Sequence, residues 1–186
     1  MSNGRIGHGS SHPGYELAML IPRAEIQRRV AALARRIHRI YDNQPLVVIG
    51  VMSGALFFLS DLLRRLEQPL QVELVTLRSY RGKSTKPSKI QWIHRMQADV
   101  AGKHVLLVDD ILDSGQTLAT VLRTIRRQKP LSCRTCVLLR KERAEKPKVE
   151  ADWIGFPIAD VFVVGYGLDF DGLYRNIPDI AVLQQK

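Results

Sequence analysis

Cysteine is scarce in this chain: of 186 residues only Cys133 and Cys136 carry a thiol. They form a lone C-x-x-C in "SCRTCVLL", with no second Cys/His pair nearby to complete the four ligands of a structural zinc site. The segment reads as a strand, where residues three apart point to opposite faces. Two buried or half-buried thiols are expected, not a redox or metal pair. Long apolar runs are missing as well, since nothing approaches the roughly 18 consecutive apolar residues of a membrane-crossing helix. The N-terminus "MSNGRIGHGSSHPGYE" lacks the apolar centre of a secretory signal. A soluble cytoplasmic protein without membrane contact is the expectation. Acidic residues are the minority, 18 against 28 Lys plus Arg, for a formal charge of +10. That excess draws anions, but nucleic acid, an anionic membrane surface and phosphorylated metabolites all suit it, so local arrangement must decide.

What is present fits one domain: at 186 residues and 45% hydrophobic, the chain can bury one sizeable core. Residues 1–14 have no apolar period and read as a flexible tail, with His8 and His12 as solvated polar groups. Between Arg23 and Ile40, the residues Ile26, Val30, Leu33, Ile37 and Ile40 step by four and three, which places them on one helical face; Arg28, Arg29, Arg35, Arg36 and Arg39 fill the remainder as solvated surface. The apolar run Leu46–Val51, the turn "GVMSGA" and "LFFLSDLLRRL" read as strand, tight turn and helix. The alternation continues with strands at 71–77 and 104–110, a helix over 115–127 with Leu118, Val121, Leu122 and Ile125 inward, and a strand in "CRTCVLL". Strands alternating with helices predict an α/β fold: a central, mostly parallel twisted sheet with helices on both faces. The polar stretch "RSYRGKSTKPSK" (78–89) has no period and reads as a mobile loop. Beyond Lys141 the chain turns irregular, then gives "WIGF", a strand "VFVVGYG" and the tail "LDFDGLYRNIPDIAVL"; no internal repeat or low-complexity block appears.

The densest chemistry lies in "VLLVDDILDSGQTL", residues 105–118. In an open parallel sheet ligands bind beyond the carboxyl ends of the strands, where Asp109, Asp110 and Asp113 fall. The turn Ser114-Gly115-Gln116-Thr117 starts a helix, so it offers unpaired backbone N–H groups, a hydroxyl at each end, and a glycine that lets a ligand approach the main chain. Carboxylates repel the phosphate that such a cradle attracts, unless the ligand also carries hydroxyls or a metal ion; a sugar phosphate meets both demands. Carboxylates accept hydrogen bonds from ribose hydroxyls and coordinate Mg²⁺. The plain alternative, that Asp110 or Asp113 only caps the helix, explains one acid of the three.

This stretch resembles the ribose-phosphate motif of the type I phosphoribosyltransferases: four apolar residues, two acids, two apolars, Asp, a small residue, Gly, any residue, Thr. The resemblance runs over about residues 15–183 and is strongest to the hypoxanthine-guanine branch, through "RSY", "LLRK" at 138–141 and "VFVVGYGLDFDGLYRNIPDIAVL". It implies the family fold, with a domain over 15–186, a mobile lid at about 78–90, and a small hood of C-terminal and N-terminal segments (about 142–186). The implied reaction is purine salvage: hypoxanthine or guanine displaces pyrophosphate from phosphoribosyl pyrophosphate, with Mg²⁺ on the leaving group, to form IMP or GMP.

By the same resemblance Asp109 and Asp110 hold the ribose hydroxyls, directly or through Mg²⁺, and Asp113 is the general acid/base at the imidazole ring of the purine. Ser114, Gly115, Gln116 and Thr117 bind the 5′-phosphate. Lys141 reaches the exocyclic oxygen of a 6-oxopurine, where adenine would present a second donor. Phe162 stacks on the base, and the backbone of Val163 reads its Watson-Crick edge. Asp169 approaches a second Mg²⁺ or its waters, and Arg175 meets the pyrophosphate. Apart from the resemblance, Lys141 would pass for an exposed strand-end lysine, Phe162 for core, and either Asp169 or Arg175 for a member of some surface ion pair. Met52, Ser53 and Gly54 match the second pyrophosphate loop, and Ser79 and Tyr80 the lid that excludes water. Lys83, Lys86 and Lys89 would steer substrate or simply be surface.

Three positions depart from the family pattern. Many members have Lys or Arg where Met52 stands and Gly where Ser53 stands, which removes a side-chain cation from the pyrophosphate and implies weaker substrate binding. Asp109 replaces the Glu usual in the purine branch, one methylene shorter. Two other readings compete. One is a regulatory homologue that senses phosphoribosyl pyrophosphate and binds nucleic acid through its basic helix, although no DNA-binding helix pair precedes the domain and Asp113, Lys141 and Asp169 are all kept. The other is a xanthine-preferring enzyme. Nucleic acid is not the expected partner; small-molecule substrates and a homodimer or homotetramer are.

Overall fold

The computed structural model describes residues 14–42, 44–80 and 89–185. Its core is a six-stranded sheet. In chain order the strands are β2 (Leu46–Met52), β3 (Leu70–Tyr80), β4 (Lys89–His94), β5 (His104–Leu112), β6 (Ser132–Glu142) and β7 (Trp153–Ala159), arranged β4-β3-β2-β5-β6-β7. All neighbours run parallel except β3 and β4. Strands covered on both faces must be apolar on both, which is why β2 reads LVVIGVM without alternation.

Helices α1 (Arg23–Tyr41) and α2 (Leu56–Leu63) cover one face; Ile26, Val30, Leu33, Ile37, Phe58 and Leu62 join Val48, Leu106 and Leu138 in one core cluster. Helix α3 (Gln116–Arg127) covers the other, and its Leu118, Val121, Leu122 and Ile125 pack with Ile49, Val105, Leu107 and Val137. Helices on both faces of a mostly parallel sheet are what the alternating pattern predicts. Each such buried aliphatic side chain contributes about 1.5–3 kcal/mol by burial. Cys133 packs on the α3 side and Cys136 on the α1 side, both free, as residues three apart on a strand require. Burial pushes the Cys133 thiol up to about 11 and the Cys136 thiol up further still, so both stay protonated rather than thiolate near neutral pH.

A second, antiparallel sheet joins the two ends of the chain: β1 (Tyr15–Ile21), β9 (Ile180–Gln185) and β8 (Val163–Val164), in the order β1-β9-β8. The strand expected over "VFVVGYG" is only Val163–Val164. Gly165 and Gly167 have φ of +95° and +102° with Tyr166 at +49° between them, which turns the chain out of the sheet. A Cβ at Gly165 would lie 2.1 Å from the Asp179 carbonyl oxygen, and one at Gly167 would lie 2.1 Å from that of Gly54. Only glycine permits these two backbone approaches. The polar 78–89 stretch is also not all loop: Arg78–Tyr80 finish β3 and Lys89 opens β4, with Tyr80 opposite Lys89. Main-chain pairing makes that hairpin despite its polar side chains. The expectations for the tail with His8 and His12, and for Lys83 and Lys86, lie outside the described residues.

Candidate active site

The carboxyl ends of β2 and β5 open into a cavity of about 320 Å³ lined by Met52, Gly54, Asp109, Asp110, Asp113 and the turn Ser114–Thr117, together with Leu77 and Ile90. Gly115, at φ +72°, is the N-cap of α3 and has no side chain to cap it; the first turn of the helix contains no acid. The leading N–H groups therefore face the cavity side of the turn without an internal anion, the arrangement that binds phosphate.

Asp109 is 5% exposed. Its Oδ1 accepts the Asp110 N–H at 2.9 Å, and Asp110 Oδ1 accepts the Ile111 N–H at 2.7 Å. Burial, and then the adjacent Asp110 charge, hold the Asp109 carboxyl well above the usual carboxylate range. Burial also raises Asp110, while the Asp109 hydrogen bond, backbone N–H groups and the Arg175 charge pull it back. Gly54 passes so close that a Cβ there would fall 1.6 Å from Asp110 Oδ2. The adjoining Met52–Ser53 peptide is cis.

Asp113, 41% exposed at its side chain, is ion-paired with Arg143 Nη1. Arg143 Nε also reaches Asp160 Oδ2 at 3.2 Å, and Asp160 Oδ1 takes Lys141 Nζ at 3.0 Å. The Lys141 hydrogen bond holds Asp160 below the usual carboxylate range, and the Asp113 partner raises Arg143. Lys141 is thus a strand-end lysine, but only 14% exposed and firmly held. Phe162 is 50% exposed, not core, with its ring edge-on to Phe170 at 5.7 Å. Leu183 N–H donates to the Phe162 carbonyl. Hydrogen-bonding residues alternate along an antiparallel ladder, so Val163, the next residue on this edge strand, turns its own N–H and C=O away from β9.

Asp169 is held by Arg175 Nη2 at 2.6 Å and by the Gly172 N–H at 2.8 Å, while Arg175 Nη1 donates to the Gly167 carbonyl. Ser79 and Tyr80 end β3; their side chains lie outside the described residues. Among the described residues no three His, Cys, Asp or Glu side chains gather as a metal-binding group. Asp109 and Asp110 adjoin, but Asp169 is committed to Arg175. A crowded, desolvated pair of hard oxygen donors still suits Mg²⁺, which keeps several waters and substrate oxygens in its shell.

Sequence reasoning missed Arg143, Asp160 and Asp61. Arg143 lies two residues after Lys141, just past the end of β6, a spacing that could have drawn notice. Asp160 becomes a neighbour only through β6–β7 pairing, which sets Lys141 opposite Ile158. Asp61 on α2 accepts the Tyr166 hydroxyl at 2.6 Å and a hydrogen bond from Gln27, tying helix to hood across 105 residues of chain. Burial raises the Tyr166 hydroxyl strongly, so it remains a donor.

The phosphoribosyl transferase domain family matches residues 22–171. A hypoxanthine-guanine phosphoribosyltransferase from Aquifex aeolicus is 39% identical over 173 residues, covering 92% of this chain and 97% of that protein. One from Mycobacterium avium is 36% identical, over 94% of this chain and 89% of its own. Among solved structures, a hypoxanthine-guanine phosphoribosyltransferase from Bacillus anthracis superposes with a TM-score of 0.83 at 32% identity, covering 91% of this chain and 99% of that one. A hypoxanthine phosphoribosyltransferase variant from Trypanosoma cruzi, complexed with the product IMP, gives 0.82 at 32% identity over 95% and 94% of the two chains.

Proposed function

The chain belongs to the phosphoribosyl transferase domain family, in its hypoxanthine-guanine branch, and we infer that it is a purine-salvage enzyme: it joins hypoxanthine or guanine to C1 of phosphoribosyl pyrophosphate, forming IMP or GMP and releasing pyrophosphate. The observation that carries this reading is a single loop in which an uncapped helix start adjoins a buried carboxylate, a half-buried one and an exposed one.

Each part has a task. The first-turn N–H groups of α3 and the Ser114 and Thr117 hydroxyls bind the 5′-phosphate, and Asp109 and Asp110 receive the ribose hydroxyls. Asp113 takes the imidazole proton as the purine nitrogen attacks. Lys141 donates to the 6-oxo group, Phe162 covers the base with its exposed ring, and the outward main chain of Val163 meets the base edge. Arg175 and the Met52–Gly54 turn face the pyrophosphate. When bound, Mg²⁺ would neutralise charge on the departing pyrophosphate, and Asp109, Asp110 and Asp169 are the carboxylates that would hold it, directly or through its own waters. Residues beside the β3–β4 hairpin, with Ser79 and Tyr80, would close over the substrate to keep water from the cationic sugar.

A homodimer or homotetramer in the cytoplasm belongs to the same reading. Helix α2 supports association, since Phe58, Leu59 and Leu62 face the core but Leu56 and Phe57 remain 49% and 41% exposed. The nucleic-acid-binding alternative is not favoured: the relatives are enzymes, and Arg29 of the basic helix lies over the Phe156 ring at 5.1 Å. The purified protein given phosphoribosyl pyrophosphate, Mg²⁺ and hypoxanthine, guanine, xanthine, adenine or uracil in turn should form nucleotide with the first two. Failure with all five would remove the proposal, and faster turnover of xanthine would move it to the xanthine branch.

A further inference from the structure

The alternating row Lys141, Asp160, Arg143, Asp113 contains two residues to which the reaction as described gives no task. Asp160 gives one carboxylate oxygen to each cation, Oδ1 to Lys141 at 3.0 Å and Oδ2 to Arg143 at 3.2 Å. Arg143 uses separate nitrogens for its two acids, Nε for Asp160 and Nη1 for Asp113. A guanidinium is planar and rigid, so fixing one edge on Asp160 fixes the other edge on Asp113. An ammonium has three donors, so Lys141 keeps two for a ligand after serving Asp160. Without Asp160, two adjacent cations would face each other unscreened, and the flexible lysine would have no anchor.

We propose that Asp160 is a specificity-positioning residue: it sets the Lys141 ammonium where the 6-oxo group of the purine arrives and, through Arg143, orients the Asp113 carboxylate toward the imidazole edge. This rests on the roles of Lys141 and Asp113 given above and adds the group that aligns them. Stability alone would not explain the row, because half-exposed ion pairs contribute little to folding. Asp160 is also well placed to discriminate: an anchored ammonium cannot turn aside for the amino group of adenine.

Steady-state kinetics of the full-length chain test this with Asp160→Asn, Asp160→Glu, Arg143→Gln and Lys141→Gln. Asp160→Asn should raise KM for hypoxanthine about tenfold, the size expected for a misplaced charged hydrogen bond. KM for phosphoribosyl pyrophosphate should stay within about twofold, and Asp160→Glu should recover part of the loss. Arg143→Gln should lower kcat about fivefold with little change in purine KM, since it acts on Asp113. A normal hypoxanthine KM in Asp160→Asn, beside a raised one in Lys141→Gln, would overturn the proposal and leave the role of Lys141 intact. A normal KM in both would overturn the Lys141 assignment as well. Equal increases in both substrate KM values would mean a merely structural role and also reject it. If Asp160→Asn does not fold, the kcat of Arg143→Gln decides: an unchanged kcat rejects the relay to Asp113.

Discussion

The two ends of the six-stranded sheet differ in nearly every respect. At the amino ends of β2, β3 and β5 lies the larger cavity, about 540 Å³, lined by Pro45, Leu46, Pro69, Leu70, His104 and Leu131 and mostly apolar. At the carboxyl ends lies the smaller one, about 320 Å³, with three aspartates and a helix start. Size would choose the first; chemistry chooses the second. Parallel strands place every following helix N-terminus at one end, so unpaired N–H groups and ligand-reaching loops accumulate there, whereas the other end receives helix C-termini and apolar strand starts.

The comparison breaks most sharply at Asp113. Asp113→Asn should cut kcat by about a hundredfold or more while melting within a degree or two of wild type, because the side chain is 41% exposed and removing a general base costs rate, not packing. Rapid-quench or coupled assays beside calorimetry would show it, and an unchanged rate would sink the assignment. Gly54→Ala comes next: its Cβ would enter the space of Asp110 Oδ2, so a loss of about 1–3 kcal/mol in stability and a collapse of kcat/KM are expected together. Lys141→Gln should reduce the preference for hypoxanthine over adenine about tenfold, measured as a ratio of kcat/KM values.

A fourth test exploits the buried acids. Asp109 titrates above its ordinary 3.8 in the folded chain, so over the window from that value upward the folded state holds more protons than the unfolded one. The stabilisation from this group is complete below the unfolded value and is lost as pH rises through the folded one. Asp109→Asn should therefore raise the neutral-pH stability by about 1 kcal/mol, flatten the pH dependence of Tm between neutral and acid, and reduce activity. A Tm that fell in the variant would contradict it. The smallest effect belongs to the opposite end: Leu131→Ser, at a residue 66% exposed, should change stability by less than about 0.5 kcal/mol and leave both KM values alone. A kinetic defect there would give the apolar cavity a function after all.

Which parts could be read in advance follows from the range of the forces involved. The α1 stripe Ile26, Val30, Leu33 and Ile37 and the uninterrupted β2 and β5 are statements about local burial, so periodicity finds them. Strand β1 was missed because YELAMLI becomes a strand only by pairing with β9, 170 positions away at its first residue pair, Tyr15 and Gln185. Likewise β4, KIQWIH, was missed: only Lys89 belongs to the polar 78–89 stretch, and so short a run becomes a strand through its main-chain pairing with β3. The reverse error, a seven-residue strand over "VFVVGYG", arose because apolar composition outvoted Gly165 and Gly167, whose positive φ ends the strand after Val164.

The order of apolar and polar residues along the chain was enough by itself to set the layered α/β fold, the end of the sheet where an open parallel sheet receives ligands, and the acidic loop from Asp109 to Thr117 proposed to bind one, because all three depend on contacts within one strand–turn–helix unit. Only the tertiary structure decided which cations face which acids: that Arg143 engages Asp113, that Asp160 joins it to Lys141, and that Arg175 occupies Asp169. All but the last bring together strand ends and loops well separated in sequence. Charge attraction acts through space over a few ångströms, and no spacing along a chain encodes which distant ends will meet.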